Sequence, residues 1–383
     1  MEPQKKKKAG RKRKKQKSKN ECFFRLDGSQ LPRVCKHNDM NMLIQYAVMV
    51  YGTGKDHRTS KYSARSGVNW GGISSWDKAN AAIERLMKEG VVERFEWGRD
   101  ADDRPMYRYD LKPSEEPDFI WLPDSIVQGV IARGRKILSP LQQLKSTNNV
   151  LALRLLFHLY QKHELVACGG SSALWVPYHG ETIQCEVGAY SVWKFTEQYG
   201  ETLRDKLKVE PHFLAAYADC EDDFWNALDL LFDYHLVEIV PHLFLGDTLS
   251  HPLRATGRSD DELHEKEKEV TVASHDAAWA MKDVVAARAT RAQGIRVKPG
   301  GNSHPSILES SYYVPVRKHI SPEVRGVLRL KHRPQTLQTK QWYSRYHNEI
   351  PEYISVYKQL EEWAKQTLAS EAFCAPIRAV NTR

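Results

Sequence analysis

The sequence predicts a mainly α chain with small β-wings, an α+β class. Three observations carry this expectation. Residues 60–111 read in order as helix, turn, helix, strand, loop and strand. Residues 227–240 repeat the helix-then-strand pattern of residues 82–95. Beyond residue 262, helical periodicity and alanine-rich composition outweigh strand signals. At 383 residues the chain has room for two or three domains. A hydrophobic content of 41% with 27% charge is ordinary for a globular protein.

The first twenty residues are a basic tail: Lys5, Lys6, Lys7, Lys8, Arg11, Lys12, Arg13, Lys14, Lys15, Lys17 and Lys19 against Glu2, a net of +10. The whole chain is +9, so the other 363 residues sum to −1. Such a run repels itself and has nothing to bury, so disorder over 1–20 is expected. Its natural partner is a polyanion, gripped through counterion release. No apolar segment follows to make a signal peptide or membrane span. The expectation is a cytoplasmic, nucleoid-associated protein, nuclear if the host is eukaryotic, with no membrane partner.

Residues 60–67 give a short helix stopped at Gly67, and 68–74 a turn-rich connection. Ser75 is a good N-cap and Asp77 suits the first turn of the next helix. Ala79, Ala82, Ile83, Leu86 and Met87 give that helix one apolar face, and Gly90 ends it. Residues 91–95 and 106–111 read as strands around a polar loop, 98–104. Helix, turn, helix and winged hairpin together spell a winged helix-turn-helix over 21–112. A helix of this kind fits the major groove and reads bases mostly from its N-terminal residues. The candidate contacts to double-stranded DNA are Ser74, Trp76, Lys78, Asn80, Arg85 and Lys88, with Arg99 and Arg104 from the wing. The wing also holds Asp100, Asp102 and Asp103, a composition poorly suited to lie on phosphate.

Residues 112–118 read as a linker, 119–123 and 126–131 as a docking segment, and Ser139-Pro140 as a helix start. Asn148 or Asn149 caps an apolar helix, 150–160, in which His158 reads as a satisfied core histidine. Residues 173–178 read as a strand, 187–199 as a helix with Tyr190, Trp193 and Phe195, and 221–234 as a helix leading into strands 236–240 and 242–245. This suggests a second, diverged winged helix within 119–254. Its recognition-like helix holds Glu221, Asp222, Asp223, Asp229 and Asp233 with no Lys or Arg, which would repel phosphate. That face suits a homodimer or protein partner instead.

Residues 262–293 predict one long helix, and 303–383 a mostly helical region. Within the latter, 312–317 reads as a strand, 327–333 as basic and extended, and 341–365 as an aromatic helix pair. Arg325, Arg329, Lys331 and Arg333 form the best basic patch outside the tail.

Residues 62–111 resemble the winged-helix domains of bacterial regulators and of plasmid or phage replication initiators. Residues 119–127 (Phe-Ile-Trp-Leu-Pro-Asp-Ser-Ile-Val), followed by 149–160, look like proteins carried on bacterial mobile elements. The resemblance implies sequence-dependent DNA binding in replication or transcription control of such an element.

Catalytic signatures do not emerge. The sequence has no nucleophile elbow, zinc-protease helix, phosphate loop or dinucleotide fingerprint, so no enzyme and no cofactor are expected. The six cysteines form no metal-ligand spacing, and Cys168, His179 and Cys185 match no common site. The alternatives are an assembly protein whose tail merely grips nucleic acid and, further off, a nucleic-acid-processing enzyme with dispersed ligands.

Overall fold

The computed structural model describes residues 23–54, 56–132, 135–164, 170–198, 200, 202–217, 221–246, 250–253, 262–292, 311–333 and 337–373. Strand β1 (Phe23–Asp27) leads to helices α1 (Leu31–Cys35) and α2 (Met40–Tyr51). Asp39 caps α2 by accepting from the Asn41 amide at 2.9 Å, and most of its side chains are buried. Then come β2 (Thr59–Ser60), α3 (Ala64–Gly71), α4 (Trp76–Lys88), β3 (Val92–Arg99) and β4 (Pro105–Leu111). The last three strands of this group form an antiparallel sheet in the order β2-β4-β3.

Helix α3 runs through the segment that composition marks as a turn. Its glycines are contact points: a Cβ on Gly71 would stand 2.4 Å from Ile44 Cγ2, and one on Gly67 would collide with the Gln45 amide. Close packing of α3 on α2 therefore outweighs the low helix propensity of glycine. The helix ends at Gly72, which takes φ 72°.

Strand β5 (Phe119–Pro123) pairs with β1 in a two-stranded sheet. Helix α5 (Ser125–Gln128) follows, then the small pair β6 (Ile131–Ala132) and β7 (Arg135–Lys136). Helix α6 (Pro140–Thr147) starts with a Ser139–Gln142 capping box, and α7 (Val150–Gln161) is capped by Asn149.

The remainder corrects the expected class. About 28% of the described residues are strand, and a curled seven-stranded antiparallel sheet forms a half-barrel, so the chain is not mainly α with small wings. Strand β8 (Ser171–Val187) pairs through its first half with residues of two later strands, Pro322–Leu330 (β14) and Lys208–Val209 (β10), and through its second half with Tyr190–Glu197 (β9). The change of partner falls at Pro177 and Tyr178. Strand β9 (Tyr190–Glu197) replaces the helix expected at 187–199. Gly188, at φ 56°, and Ala189 turn Val187 back onto Tyr190, and the aromatic and β-branched residues that follow favour a pleated strand.

Next come α8 (Leu203–Lys206), β10 (Lys208–Val209), α9 (Pro211–Ala215) and α10 (Glu221–Asp233). Strands β11 (Val237–Leu245) and β12 (Ser250–Pro252) precede the long helix α11 (Glu262–Ala292). Strands β13 (Ser311–Arg317) and β14 (Pro322–Leu330) complete the sheet, in the path β12-β11-β14-β8-β9-β13. The strand after α10 thus belongs to this large sheet and not to the small wing of a second winged helix. The expected helix pair at 341–365 is one helix, α12 (Leu337–Phe373), with Pro351 inside it.

One apolar core runs from β1 and α2 through α4 and α7 to α10, β8 and β14. A second joins α11 and α12 to the β8, β9 and β13 end of the sheet, and a third fills the curl around Phe195, Leu243 and Val316.

Candidate functional site

Helix α4 owes its position to three local features. Ser75 Oγ accepts from the Lys78 amide at 3.2 Å, a cap that contributes about 1 kcal/mol. Ala79, Ala82, Ile83 and Leu86 are buried against α2 and α3. At the far end, Glu89 accepts from Lys36 at 3.1 Å and pairs with His37 at 2.8 Å. Those hydrogen bonds hold the Glu89 carboxyl below the usual carboxylate range. The N-terminus of the helix is left facing solvent.

The expected contact residues divide into two groups. Ser74, Lys78 and Lys88 are exposed, and Trp76 is 57% exposed. Lys78 and Lys88 make no ion pair among the described residues. The others are engaged within the protein. Asn80 Nδ2 donates to Glu84 at 2.9 Å, and the Arg85 guanidinium pairs with Asp39, which caps α2. Arg99 pairs with Asp103 at 3.1 Å and Glu96 at 3.6 Å, and Arg104 with Asp102 at 3.8 Å. Arg85 locks α4 to α2, while Arg99 and Arg104 stiffen the loop.

The hairpin of β3 and β4 carries a charge pattern that the sequence alone conceals. Every acid on it has a partner. Besides the pairs just given, Glu93 meets Lys112 at 2.6 Å, and Asp110 accepts from Arg58 at 2.5 and 2.7 Å. Asp100 accepts from the backbone amides of Asp102 and Arg104, both at 2.9 Å. Arg99 and Arg104 thus offset two of the three loop acids, and residues 98–104 keep one net negative charge. Two hairpin cations, Arg94 and Arg108, have no carboxylate partner among the described residues. Arg108 lies 3.6 Å from the Trp97 ring centre, and Arg94 lies 4.9 Å from that of Tyr107. None of these four residues is a candidate in the sequence reading. Their signal was alternation along both strands, which places long polar and aromatic side chains on open faces.

Other expectations fare differently. The patch from Arg325 to Arg333 is not a surface patch. Arg325 pairs with Glu323 at 2.6 Å between Trp175 and Phe244, while Arg329 and Arg333 are buried. On α10, Glu221 and Asp222 are clamped by Arg204 at 2.8 and 2.9 Å. His158 stacks on Phe213 and lies 3.0 Å from Tyr217 Oη, and burial pushes its pKa down to about 4. Burial likewise pushes the thiols of Cys35 and Cys185 up to about 11, which suits core cysteines and not nucleophiles.

Among the described residues no His, Cys, Asp or Glu group could hold a metal ion, and no helix is long and apolar enough to cross a membrane. Cys168 and the tail residues Lys5 to Lys8 and Arg11 to Lys15 lie outside the described residues. A shallow cavity of about 310 Å³ opens inside the curl beside Tyr178 and Tyr312, and the Lys206–Glu197 pair at 3.1 Å stands in it. Compared with known proteins, the chain matches no family model, no curated protein and no solved structure.

Proposed function

We propose that residues 40–111 act as a winged helix that binds double-stranded DNA, with α4 reading the site. The observation that supports this is the free N-terminal end of α4. Its buried face and Ser75 cap fix the helix, while Trp76 and Lys78 stand exposed and no described residue pairs with the Lys78 ammonium. Side chains in that position reach base edges when a helix enters the major groove. Lys88 extends the same helix toward phosphate. Arg85, Arg99 and Arg104 serve by holding α4 and the loop in place, since each is paired internally. The basic segment at residues 1–20 supplies the salt-sensitive grip that sequence-blind binding requires. Control of replication or transcription on a mobile element or phage is the setting the resemblance suggests.

The test is selection of bound sites from random duplexes, with the full chain and with residues 1–20 deleted. We expect both proteins to enrich the same sequence, and the deletion to bind more weakly with a flatter salt dependence. Sequence-blind binding that disappears with residues 1–20 would replace this reading with that of an assembly protein that grips nucleic acid through its tail.

A further inference from the structure

We propose that the β3–β4 hairpin is a stacking site for unpaired nucleobases, one against Trp97 and Arg108 and one against Tyr107 and Arg94. The inference deepens the DNA reading above and rests on it for the class of partner. Trp97 is 56% exposed and Tyr107 44% exposed, a large aromatic area to leave in water on so small an element. Each ring is covered on one side by a guanidinium that no carboxylate among the described residues neutralises. A planar, electron-rich ligand attached to a polyanion satisfies both groups at once: the ring offers it a stacking surface and the guanidinium meets its charge.

The backbone around Trp97 points the same way. The pairing register slips between Glu96 and Gly98, so Trp97 sits at a β-bulge and has no partner across the ladder. Bulges re-aim side chains and recur beside functional sites. Tyr107 and Arg108 are consecutive on β4 and point to opposite faces, so the hairpin offers one aromatic–guanidinium pair on each side. A paired base inside a duplex exposes only its edge, whereas an unpaired base exposes the flat face that such a surface takes. Arg99 and Arg104 offset two of the three loop acids, so the phosphates of a bound strand lie toward Arg94 and Arg108 and away from the loop tip.

The test compares an oligothymidylate with an abasic oligomer of equal length, by fluorescence anisotropy with the full chain at one ionic strength. Both carry the same phosphates, so residues 1–20 grip them alike and the difference reports the bases. The expected result is a preference for thymidylate on the order of tenfold, lost in the double variant Trp97→Ala, Tyr107→Ala with the salt dependence unchanged. No preference in the unaltered chain, or one that survives in the double variant, would overturn the proposal. A second measurement uses an iodouracil-substituted strand: photo-cross-links to Trp97 or Tyr107 support the site, and cross-links confined to other residues refute it. Neither readout depends on duplex recognition by α4. Loss of site preference in Lys78→Ala with base stacking intact leaves this inference standing, and the reverse pattern removes it alone.

Discussion

Two helices of this protein end in the same way and lead to different structures. At the end of α4, the Gly90 amide donates to Met87 O at 3.0 Å and the Val91 amide to Leu86 O at 3.0 Å. At the end of α10, the His235 amide donates to Phe232 O at 2.8 Å and the Leu236 amide to Leu231 O at 2.8 Å. Gly90 has φ 71° and His235 φ 53°, so both are left-handed C-terminal caps of one type. The strands that follow also begin alike, Val92 pairing with Leu111 and Val237 with Leu330. There the likeness ends. The partner of β3 returns after residues 100–104, whereas β14, the partner of β11, arrives only after residues 246–321, which contain β12, α11 and β13. A local pattern can set a junction, and the distance to the partner strand then decides whether a small hairpin or a large sheet grows from it.

The largest effects should come from the leucines that anchor the two junctions. Leu86 and Leu231 are fully buried, so Leu86→Ala and Leu231→Ala should each cost about 2–5 kcal/mol in denaturant unfolding. Both belong to the same apolar core, so each should shift a single transition. Two separated transitions, with each substitution moving only one, would break the core in two and deepen the contrast between the regions.

Acid should distinguish the regions next. Helix α10 packs against α7, which carries the half-buried His158, while α4 ends at the pair of Glu89 with the exposed His37. The His158 pKa falls from 6.5 to about 4 in the folded chain. Between those values the unfolded chain binds the proton more readily, so stability is complete above pH 6.5 and declines as pH falls toward 4. Allowing for solvent screening of the half-buried ring, the loss should be on the order of 1–2 kcal/mol. His158→Gln should flatten that part of the stability profile, and an unchanged slope would assign the acid sensitivity to other groups.

The smallest effects probe the caps. A Cβ on Gly90 would meet nothing within 4 Å, so Gly90→Ala should cost only the left-handed conformation, about 1 kcal/mol. His235 is exposed and already bears that strain, so His235→Gly should stabilise by up to about 1 kcal/mol. Thermal unfolding should show opposite signs. Equal signs would mean that the two caps are not equivalent.

The same contrast explains what the sequence makes legible. Helix α4 is readable because Ser75, the apolar spacing and Gly90 lie within one short window, and β3 with β4 because their pairing is local. The β11 segment is readable as a strand, but nothing near it in sequence names β14 as its neighbour, so the large sheet is hidden from local patterns. Spacing around Tyr190, Trp193 and Phe195 suited a helix until the Gly188 turn paired them with β8. The basic run ending at Arg333 looked like surface because its position in a covered sheet, which buries Arg329, depends on contacts distant in sequence. At the candidate site, Trp76 and Lys78 were visible from helical phase. The internal partners of Arg85 and Arg99 were not, nor were the rings beneath Arg94 and Arg108, because those depend on where α2 and the hairpin lie.

Whether α4 and not α10 reads DNA is decided by anisotropy titration of a selected duplex with three full-length chains: unaltered, Trp76→Ala with Lys78→Ala, and Asp229→Ala with Asp233→Ala. A DNA-reading α4 predicts a loss of roughly tenfold or more for the α4 variant, from base contacts worth about 1–3 kcal/mol each, with random-duplex binding little changed. The α10 variant should bind as the unaltered chain does. Full affinity in the α4 variant, or a comparable loss in the α10 variant, would contradict the account.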